Sequence, residues 1–238
     1  MKNALVTGGT KGIGWAITRM LLNEGYAVTA TYAHDDDVAE KCRQSLMYSQ
    51  NVEFIRVDQT STTEIHRLSL ELCNKKHIDC IICNAGITLR KGLSETKDSE
   101  WEKVMQTNVN NNLYLIRDLL GVIPHDSRIV FVSSLMGILP HGTSLAYGVS
   151  KAAIIALAKN LVKVFEATGT TVNVIAPGFV ETDWQQNKPE IIRHNICEKT
   201  ALKRFATPDE IADSVRFCIN NAFVNGSVIE VSGGYDFK

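Results

Sequence analysis

Tyr147 and Lys151 lie four residues apart in Ala146-Tyr147-Gly148-Val149-Ser150-Lys151, and Ser134 precedes the tyrosine by thirteen. On a helix that spacing puts phenol and ammonium one turn apart on the same face. A free tyrosine has a pKa of about 10, and a cation within ~4–6 Å lowers such a pKa by roughly 1–3 units. A phenol tuned in this way can exchange a proton with a carbonyl or an alcohol near neutral pH, while a serine hydroxyl holds the same oxygen. Tyr-x-x-x-Lys alone is common by chance. Its weight comes from the start of the chain.

There, Thr7-Gly8-Gly9-Thr10-Lys11-Gly12-Ile13-Gly14 follows a short apolar run and opens a helical stretch. Glycines let the backbone approach a pyrophosphate, and a helix N-terminus offers unpaired N–H groups with a partial positive charge. The spacing Gly-x-x-x-Gly-x-Gly differs from the Gly-x-Gly-x-x-Gly dinucleotide fingerprint, and it lacks the Gly-Lys-Ser/Thr that ends a P-loop. A glycine-rich turn standing alone serves equally well as a tight turn. Its place after the first strand favours dinucleotide binding.

The elements that must position these groups alternate. Short β-rich runs fall at 3–7, 27–31, 52–56, 80–83, 128–133, 171–175 and 228–231, several of them nearly all apolar, as parallel strands covered on both faces should be. Helix-like stretches fall at 12–24, 38–48, 62–74, 99–121, 146–166 and 208–220. This β-α-β-α order predicts a single α/β domain over residues 1–238, a doubly wound, Rossmann-like parallel sheet of about seven strands with helices on both faces. Two connections break the rhythm, a polar one at 84–100 and a longer one at 177–207. Long connections at the carboxyl edge of such a sheet hold substrates.

Bulk composition narrows the class. The chain has 238 residues, 45% hydrophobic and 21% charged, with a formal net charge of −1. That balance argues against a general nucleic-acid or anionic-membrane binder. Nothing resembles a signal peptide, and no apolar run approaches the ~18 residues of a membrane span, so a cytoplasmic protein is expected. Cys80 and Cys83 have Cys-x-x-Cys spacing but lie in an apolar strand, where i and i+3 face opposite sides; they read as small buried hydrophobes. None of the six histidines has zinc-ligand spacing, and His141 reads as a loop residue lining the pocket. No metal is expected.

Taken together, Thr-Gly-x-x-x-Gly-Ile-Gly, Asn84-Ala85-Gly86, Asn108, Ser134, Tyr147-x-x-x-Lys151 and Pro177-Gly178 resemble the short-chain dehydrogenase/reductase family over nearly the whole chain. Within it, Asn84-Ala85-Gly86-Ile87-Thr88, Pro177-Gly178-Phe179-Val180-Glu181-Thr182-Asp183 and Val231-Ser232-Gly233-Gly234 are most similar to the 3-oxoacyl-acyl-carrier-protein reductases. The resemblance implies a nicotinamide oxidoreductase with Tyr147 as proton donor in reduction and base in oxidation. Lys151 would lower the tyrosine pKa and hold the nicotinamide ribose, and Ser134 would orient the substrate oxygen. Asn108 would kink its helix and hold a water behind Lys151 that resupplies the proton; Asn110, Asn111 and Asn112 compete for that role. The cofactor would lie along Gly8, Thr10, Lys11, Gly12, Ile13 and Gly14, with Asn84, Ala85 and Gly86 beside the adenosine ribose. Pro177, Gly178, Val180 and Thr182 would line the nicotinamide end. Asp58 matches the contact to adenine, its plainer role being the cap of the following helix. Cys83 departs from the frequent Asn-Asn-Ala-Gly form.

The second strand ends Thr31-Tyr32-Ala33-His34 without the acid that pairs with NAD ribose hydroxyls, and Lys11 stands where the family places a base against a 2′-phosphate. Both favour NADP(H) over NAD(H). Asp35-Asp36-Asp37 argues the other way and reads as a solvated helix start. Residues 179–205 form the expected substrate loop, where Trp184, Ile191 and Ile192 could close over an acyl chain. The family's carrier-binding reductases carry bases before the fifth and sixth strands, but Gly121-Val122-Ile123-Pro124-His125-Asp126 and Glu166-Ala167-Thr168-Gly169 contain no Lys or Arg, although Arg128 is close. That weakens an acyl-carrier protein as partner and leaves a free ketone or an acyl thioester open. Apolar faces on 99–121 and 146–166 predict a homo-oligomer, a tetramer or dimer.

Overall fold

Successive residues of the apolar runs serve opposite sides of one sheet. Ala4 and Val6 pack with one helix layer and Leu5 with the other; Cys80 and Ile82 share the first layer, Ile81 and Cys83 the second. In the computed structural model, which describes residues 1–46, 51–74, 77–186 and 188–237, the described strands are seven. They are β1 (Asn3–Val6), β2 (Ala27–Tyr32), β3 (Val52–Arg56), β4 (Cys80–Cys83), β5 (Arg128–Val132), β6 (Thr171–Pro177) and β7 (Val228–Val231). All pair in parallel in the order β3-β2-β1-β4-β5-β6-β7. The chain winds outward from β1 to β3, then returns across β1 to lay down β4. The carboxyl ends of β1 and β4 therefore flank the crevice where such sheets bind ligands.

The helices are α1 (Gly12–Asn23), α2 (Asp36–Ser45), α3 (Thr62–Cys73), α4 (Asp98–Met105), α5 (Asn111–Leu119), α6 (Leu145–Val164), α7 (Asp183–Gln186), α8 (Glu190–Lys199) and α9 (Pro208–Asn220). Ile17 and Leu21 of α1 and Ile211 and Val215 of α9 cover one sheet face. Ile65 and Leu68 of α3, Leu115 and Leu119 of α5 and Ile154 and Leu161 of α6 cover the other. Local chemistry sets the helix starts: Ser61 accepts from the Glu64 amide, and Thr207 with Glu210 forms a reciprocal box ahead of Pro208. Helix α6 is long and apolar enough by composition to cross a bilayer. Here it packs along β5 and β6 with its own Tyr147 and Lys151 buried.

Three departures from the sequence reading matter. The stretch 99–121 is not one helix, because a π-turn over Gln106–Asn110 separates α4 from α5. The connection 177–207 carries α7 and α8, whose short, mostly exposed turns give little hydrophobic periodicity. Helix α2 ends at Ser45; Met47 and Tyr48, assigned to it from sequence, lie outside the described residues.

Candidate active site

The glycine turn is fastened from inside. Gly8 N donates to Thr31 Oγ1 (3.2 Å) and Gly9 N to the Thr31 carbonyl (2.8 Å). The carbonyls of Gly8, Gly9 and Thr10 accept from Asn84 Nδ2 (3.1 Å), Thr18 Oγ1 (3.0 Å) and Cys42 Sγ (3.3 Å). With those groups engaged, the turn delivers α1 with no side-chain cap and no acid in its first turn. The first-turn amides of Gly12, Ile13 and Gly14 have no intrahelical acceptor, so this end suits an anion. Gly14 has no alternative: a Cβ there would lie 2.0 Å from the Gly8 carbonyl oxygen. The arrangement fits a dinucleotide pyrophosphate.

Thr7 ties this turn to β4. Its hydroxyl accepts from the amides of Asn84 and Ala85 (3.0 Å each), and Asn84 Nδ2 also donates to the Thr7 carbonyl (3.0 Å). Toward the adenosine end, Asp58 is not the cap of α3, since Ser61 takes that place. Asp58 instead accepts from the Thr60 amide (2.8 Å), and its backbone N–H donates to Glu64 (2.9 Å). Burial works to raise its carboxyl, but the Thr60 bonds and the charges of His34 and Lys103 outweigh it and lower the pKa. Lys11 bonds Asp35 at 2.6 Å, both half-exposed, so the cation expected to meet a 2′-phosphate already has a carboxylate partner. Asp36 and Asp37 occupy the first turn of α2, where acids suit the helix dipole.

Ser134, Tyr147 and Lys151 converge where β5 ends and α6 begins. The adjacent serines divide their work: Ser133 Oγ donates to the Lys151 carbonyl (2.8 Å), while Ser134 hydrogen-bonds the Tyr147 hydroxyl and accepts from the Met136 amide (3.2 Å). Lys151 Nζ donates to the Val132 carbonyl (2.8 Å) and lies 5.6 Å from the centroid of the Tyr147 ring. The expected acidification of Tyr147 is absent. Burial pushes its phenol up to about 12, opposed by the Ser134 bond, and burial pulls Lys151 down to about 8. Both shifts have one cause, a dry pocket that penalises charge. At neutral pH the pair is therefore a protonated phenol beside an ammonium, a state that can donate a proton.

Asn108 sits in the π-turn, its Oδ1 accepting from Ile87 N (2.8 Å) and its Nδ2 donating to the Ile87 carbonyl and Ser150 Oγ (2.9 Å each). Gly86 lies between Asn108 and Lys151: a Cβ on it would be 3.0 Å from Asn108 Oδ1 and 3.5 Å from Lys151 Nζ. The other asparagines point elsewhere. Asn110 bonds Gln106 and Asn111 bonds the Gln59 carbonyl. Asn112, named from sequence as a rival to Asn108, bonds the Asn108 carbonyl itself (2.7 Å).

Beyond β6, Gly178 N donates to the Val231 carbonyl (3.0 Å), and Thr182 sits over Gly12. A parallel bridge between Val180 and Ala206 clasps the base of the following segment. Inside it, Arg193 pairs with Glu181, and Trp184 meets Tyr147 edge-on with ring centroids 6.4 Å apart. Ile191 and Ile192 remain exposed. His141 lies on an exposed loop, bonded to Thr143. The seating of Trp184 on the tyrosine had no periodic signal in the sequence, because α7 is one turn long.

Known proteins resemble this chain along its length. The family model described as enoyl-(acyl carrier protein) reductase matches residues 8–236. The 3-oxoacyl-acyl-carrier-protein reductase of Buchnera aphidicola subsp. Schizaphis graminum is 32% identical across 98% of this chain and 96% of its own length. That of Aquifex aeolicus is 31% identical, covering 98% and 96%. Among solved structures, a blue fluorescent protein from a metagenomic library in complex with NADPH superposes with a TM-score of 0.93 at 26% identity, covering 98% of this chain and 97% of that one. An uncapped helix after a glycine turn, a tyrosine one helical turn from a lysine, and relatives matched end to end lead to one conclusion: the chain belongs to the short-chain dehydrogenase/reductase family, whose members are oxidoreductases.

Proposed function

We propose that this protein reduces a ketone of the 3-oxoacyl type to a secondary alcohol with NADP(H), Tyr147 acting as general acid. The observation that carries the reading is the buried Tyr147 phenol, hydrogen-bonded to Ser134 and with Lys151 Nζ 5.6 Å from its ring centroid, at the carboxyl edge of the sheet. NADPH, when bound, would supply the hydride for the carbonyl carbon. The chain's own residues supply the rest. Ser134 holds the substrate oxygen, Tyr147 gives it a proton, and Lys151 stabilises the phenolate that forms. Asn108, next to Lys151 across Gly86, holds the water that returns the proton.

The cofactor would lie along the first turn of α1 and Gly8, Thr10 and Lys11, past Asn84, Ala85 and Gly86, with Asp58 at adenine and Pro177, Gly178, Val180 and Thr182 at the nicotinamide. NADP(H) is supported by Lys11 and by the NADPH complex of a structural relative. One observation favours a second reading, an NAD-dependent secondary-alcohol dehydrogenase: Asp35 sits against Lys11 and would repel a 2′-phosphate. The segment 179–205 serves as substrate cover. An acyl-carrier protein stays a possible partner, weakened by the absence of bases before β5 and β6 and by the engagement of Arg128 with the carbonyls of Asp126, Ser127, Gly169 and Ile219. Leu113, Val149 and Val164 stand exposed on α5 and α6, supporting assembly into a homo-oligomer; a sedimentation mass of one chain would count against it.

The test mixes the protein with NADPH and acetoacetyl thioesters, then a wider ketone panel, and follows loss of the reduced-nicotinamide absorbance. Turnover with NADPH well above that with NADH is the expected result. No turnover with any ketone refutes the reductase reading, and a preference for NADH moves the assignment to the second reading.

A further inference from the structure

Four buried side chains link the turn after β3 to the first turn of α6. Gln59 donates its amide to Asn112 Oδ1 (3.4 Å), and Asn112 donates to the Asn108 carbonyl (2.7 Å). Asn108 donates to Ser150 Oγ (2.9 Å), and Ser150 donates to the Tyr147 carbonyl (2.7 Å). The links run toward α6, with Asn108 accepting through its backbone carbonyl and donating through its side-chain amide. None of the four side chains is more than 6% exposed. Buried amides cost stability unless paired, and apolar residues of similar shape fill such a seam about as well. The chain is better explained by what it holds in place than by the stability it adds.

Its middle link falls at the π-turn. A π-turn widens the helix by one residue and redirects carbonyls from their regular partners. Here the Asn108 carbonyl is taken by a side-chain amide from one turn further on. We propose that Asn112 is a positioning residue for proton transfer: by holding the Asn108 carbonyl it fixes the π-turn, and through Asn108 and Ser150 it fixes the turn of α6 that carries Tyr147 and Lys151. The inference rests on Tyr147 being the proton donor. A carbonyl accepts two hydrogen bonds, so Asn112 takes one and leaves the second for the water assigned to Asn108. At the far end Gln59 Oε1 is buried without a partner, a polar spot suited to an ordered water. Its neighbour Asn111 does a different job. It bonds the Gln59 carbonyl, Thr62 and Gln106, tying α5 to the β3–α3 turn.

Asn112→Leu keeps the branching of the side chain and removes both bonds; Asn112→Asp keeps the shape and donates to the carbonyl only while its carboxyl is protonated. For each, melting temperature, NADPH affinity by fluorescence, and kcat and kcat/KM against pH are measured with a ketone the protein reduces. The titrating groups facing Lys151 are Tyr147 and Cys83, and the wild-type basic limb is expected near pH 8, where Lys151 loses its proton. Expected for Asn112→Leu are a fall in kcat of about 10- to 100-fold, NADPH affinity within about twofold of wild type, and a displaced basic limb. In Asn112→Asp activity should decline as pH rises through the new carboxyl's pKa. Asn111→Leu should lower the melting temperature and leave the limbs in place.

If Asn112→Leu fails to fold, Gln59→Leu decides alongside Asn112→Asp. It deletes an unpartnered acceptor, so it should fold and lose turnover several-fold. If no ketone is turned over, alkaline titration of the Tyr147 phenol, read by absorbance against Tyr147→Phe, gives the same comparison between wild type and variants. Unmoved limbs, with kcat following only the folded fraction, would overturn the inference. Retained turnover in Tyr147→Phe would instead refute the proton-donor reading. An inactive Tyr147→Phe beside an unaffected Asn112 series removes the role of Asn112 alone.

Discussion

The glycine turn and the segment beyond β6 share one edge of the sheet and are held in opposite ways. Each carbonyl from Gly8 to Lys11 is bonded to an inner partner, and Asn84 clamps the turn to β4. The segment that carries α7 and α8 is clasped at Val180 and Ala206 and braced by the half-exposed Arg193–Glu181 pair, with Ile191 and Ile192 open to solvent. Surface pairs of this kind contribute ~0–1 kcal/mol. The glycine turn is thus held by a dense set of internal bonds, whereas the segment beyond β6 is held by few. Tyr147 lies at the seam, fixed from below by α6 and touched from above by Trp184.

The sharpest way to break this comparison is at the seam. Tyr147→Phe removes one oxygen from a packed ring and leaves the glycine turn untouched. Turnover should fall by about 10²- to 10⁴-fold, as expected when a general acid is lost. NADPH binding, measured by fluorescence titration, should stay as in the wild type. If turnover survives, another group supplies the proton, and the seam is not where the chemistry lies.

Next in size is a contrast between the two regions. In Gly14→Ala the added methyl meets the Gly8 carbonyl, which Asn84 holds in place, so the turn must distort. A stability loss of about 1–3 kcal/mol is expected from overpacking, together with loss of NADPH binding. Ile192→Ala should change stability by less than about 0.5 kcal/mol, because its side chain is exposed. Urea unfolding of both variants checks the pair; equal losses would mean that the two regions are equally rigid.

A subtler contrast lies within the cofactor side. Lys11 and Asp35 neutralise each other on the surface, 2.6 Å apart. Lys11→Ala should weaken NADPH by about tenfold, the scale of one charge-assisted bond, and leave NADH unchanged. Asp35→Asn should tighten NADPH several-fold by freeing the ammonium and removing a repulsion. Titrations with both nucleotides test this, and an unchanged NADPH affinity in both variants would place the 2′-phosphate elsewhere.

Much of this organisation was legible in the chain. Runs such as Cys80-Ile81-Ile82-Cys83 read as strands because both faces of a parallel sheet are covered, and their bounds agree with the structure to within two residues. The glycine turn and the Tyr147–Lys151 spacing depend on local backbone geometry, which residue spacing encodes directly. What escaped reading depended on tertiary burial. The pKa of Tyr147 moved up because the pocket is dry, and no spacing rule reports dryness. Helices α7 and α8 are too short and too exposed to show a period. Asn112 looked like one of three rivals to Asn108 until the π-turn set its amide on the Asn108 carbonyl.

The smallest expected effect tests whether the segment beyond β6 helps to keep the seam dry. Trp184 is half-exposed and lies edge-on to Tyr147, so its indole shields one side of the phenol. The Tyr147 pKa is about 12 chiefly because of burial. Removing the indole admits water and should move that pKa back toward the free value of about 10. The sign of the stability effect follows. The folded phenol holds its proton to higher pH than the unfolded one, so stability is full below about pH 10 and falls as pH approaches 12. In Trp184→Ala that alkaline loss should shrink, because the folded and unfolded values draw together. Turnover at neutral pH should change only a few-fold, through KM, since the phenol is protonated there in either protein. An absorbance titration of the phenol beside the alkaline unfolding curve measures both. A Tyr147 pKa unmoved in Trp184→Ala would mean that α6 and β5 alone keep the pocket dry, and that the segment above contributes nothing to the acid.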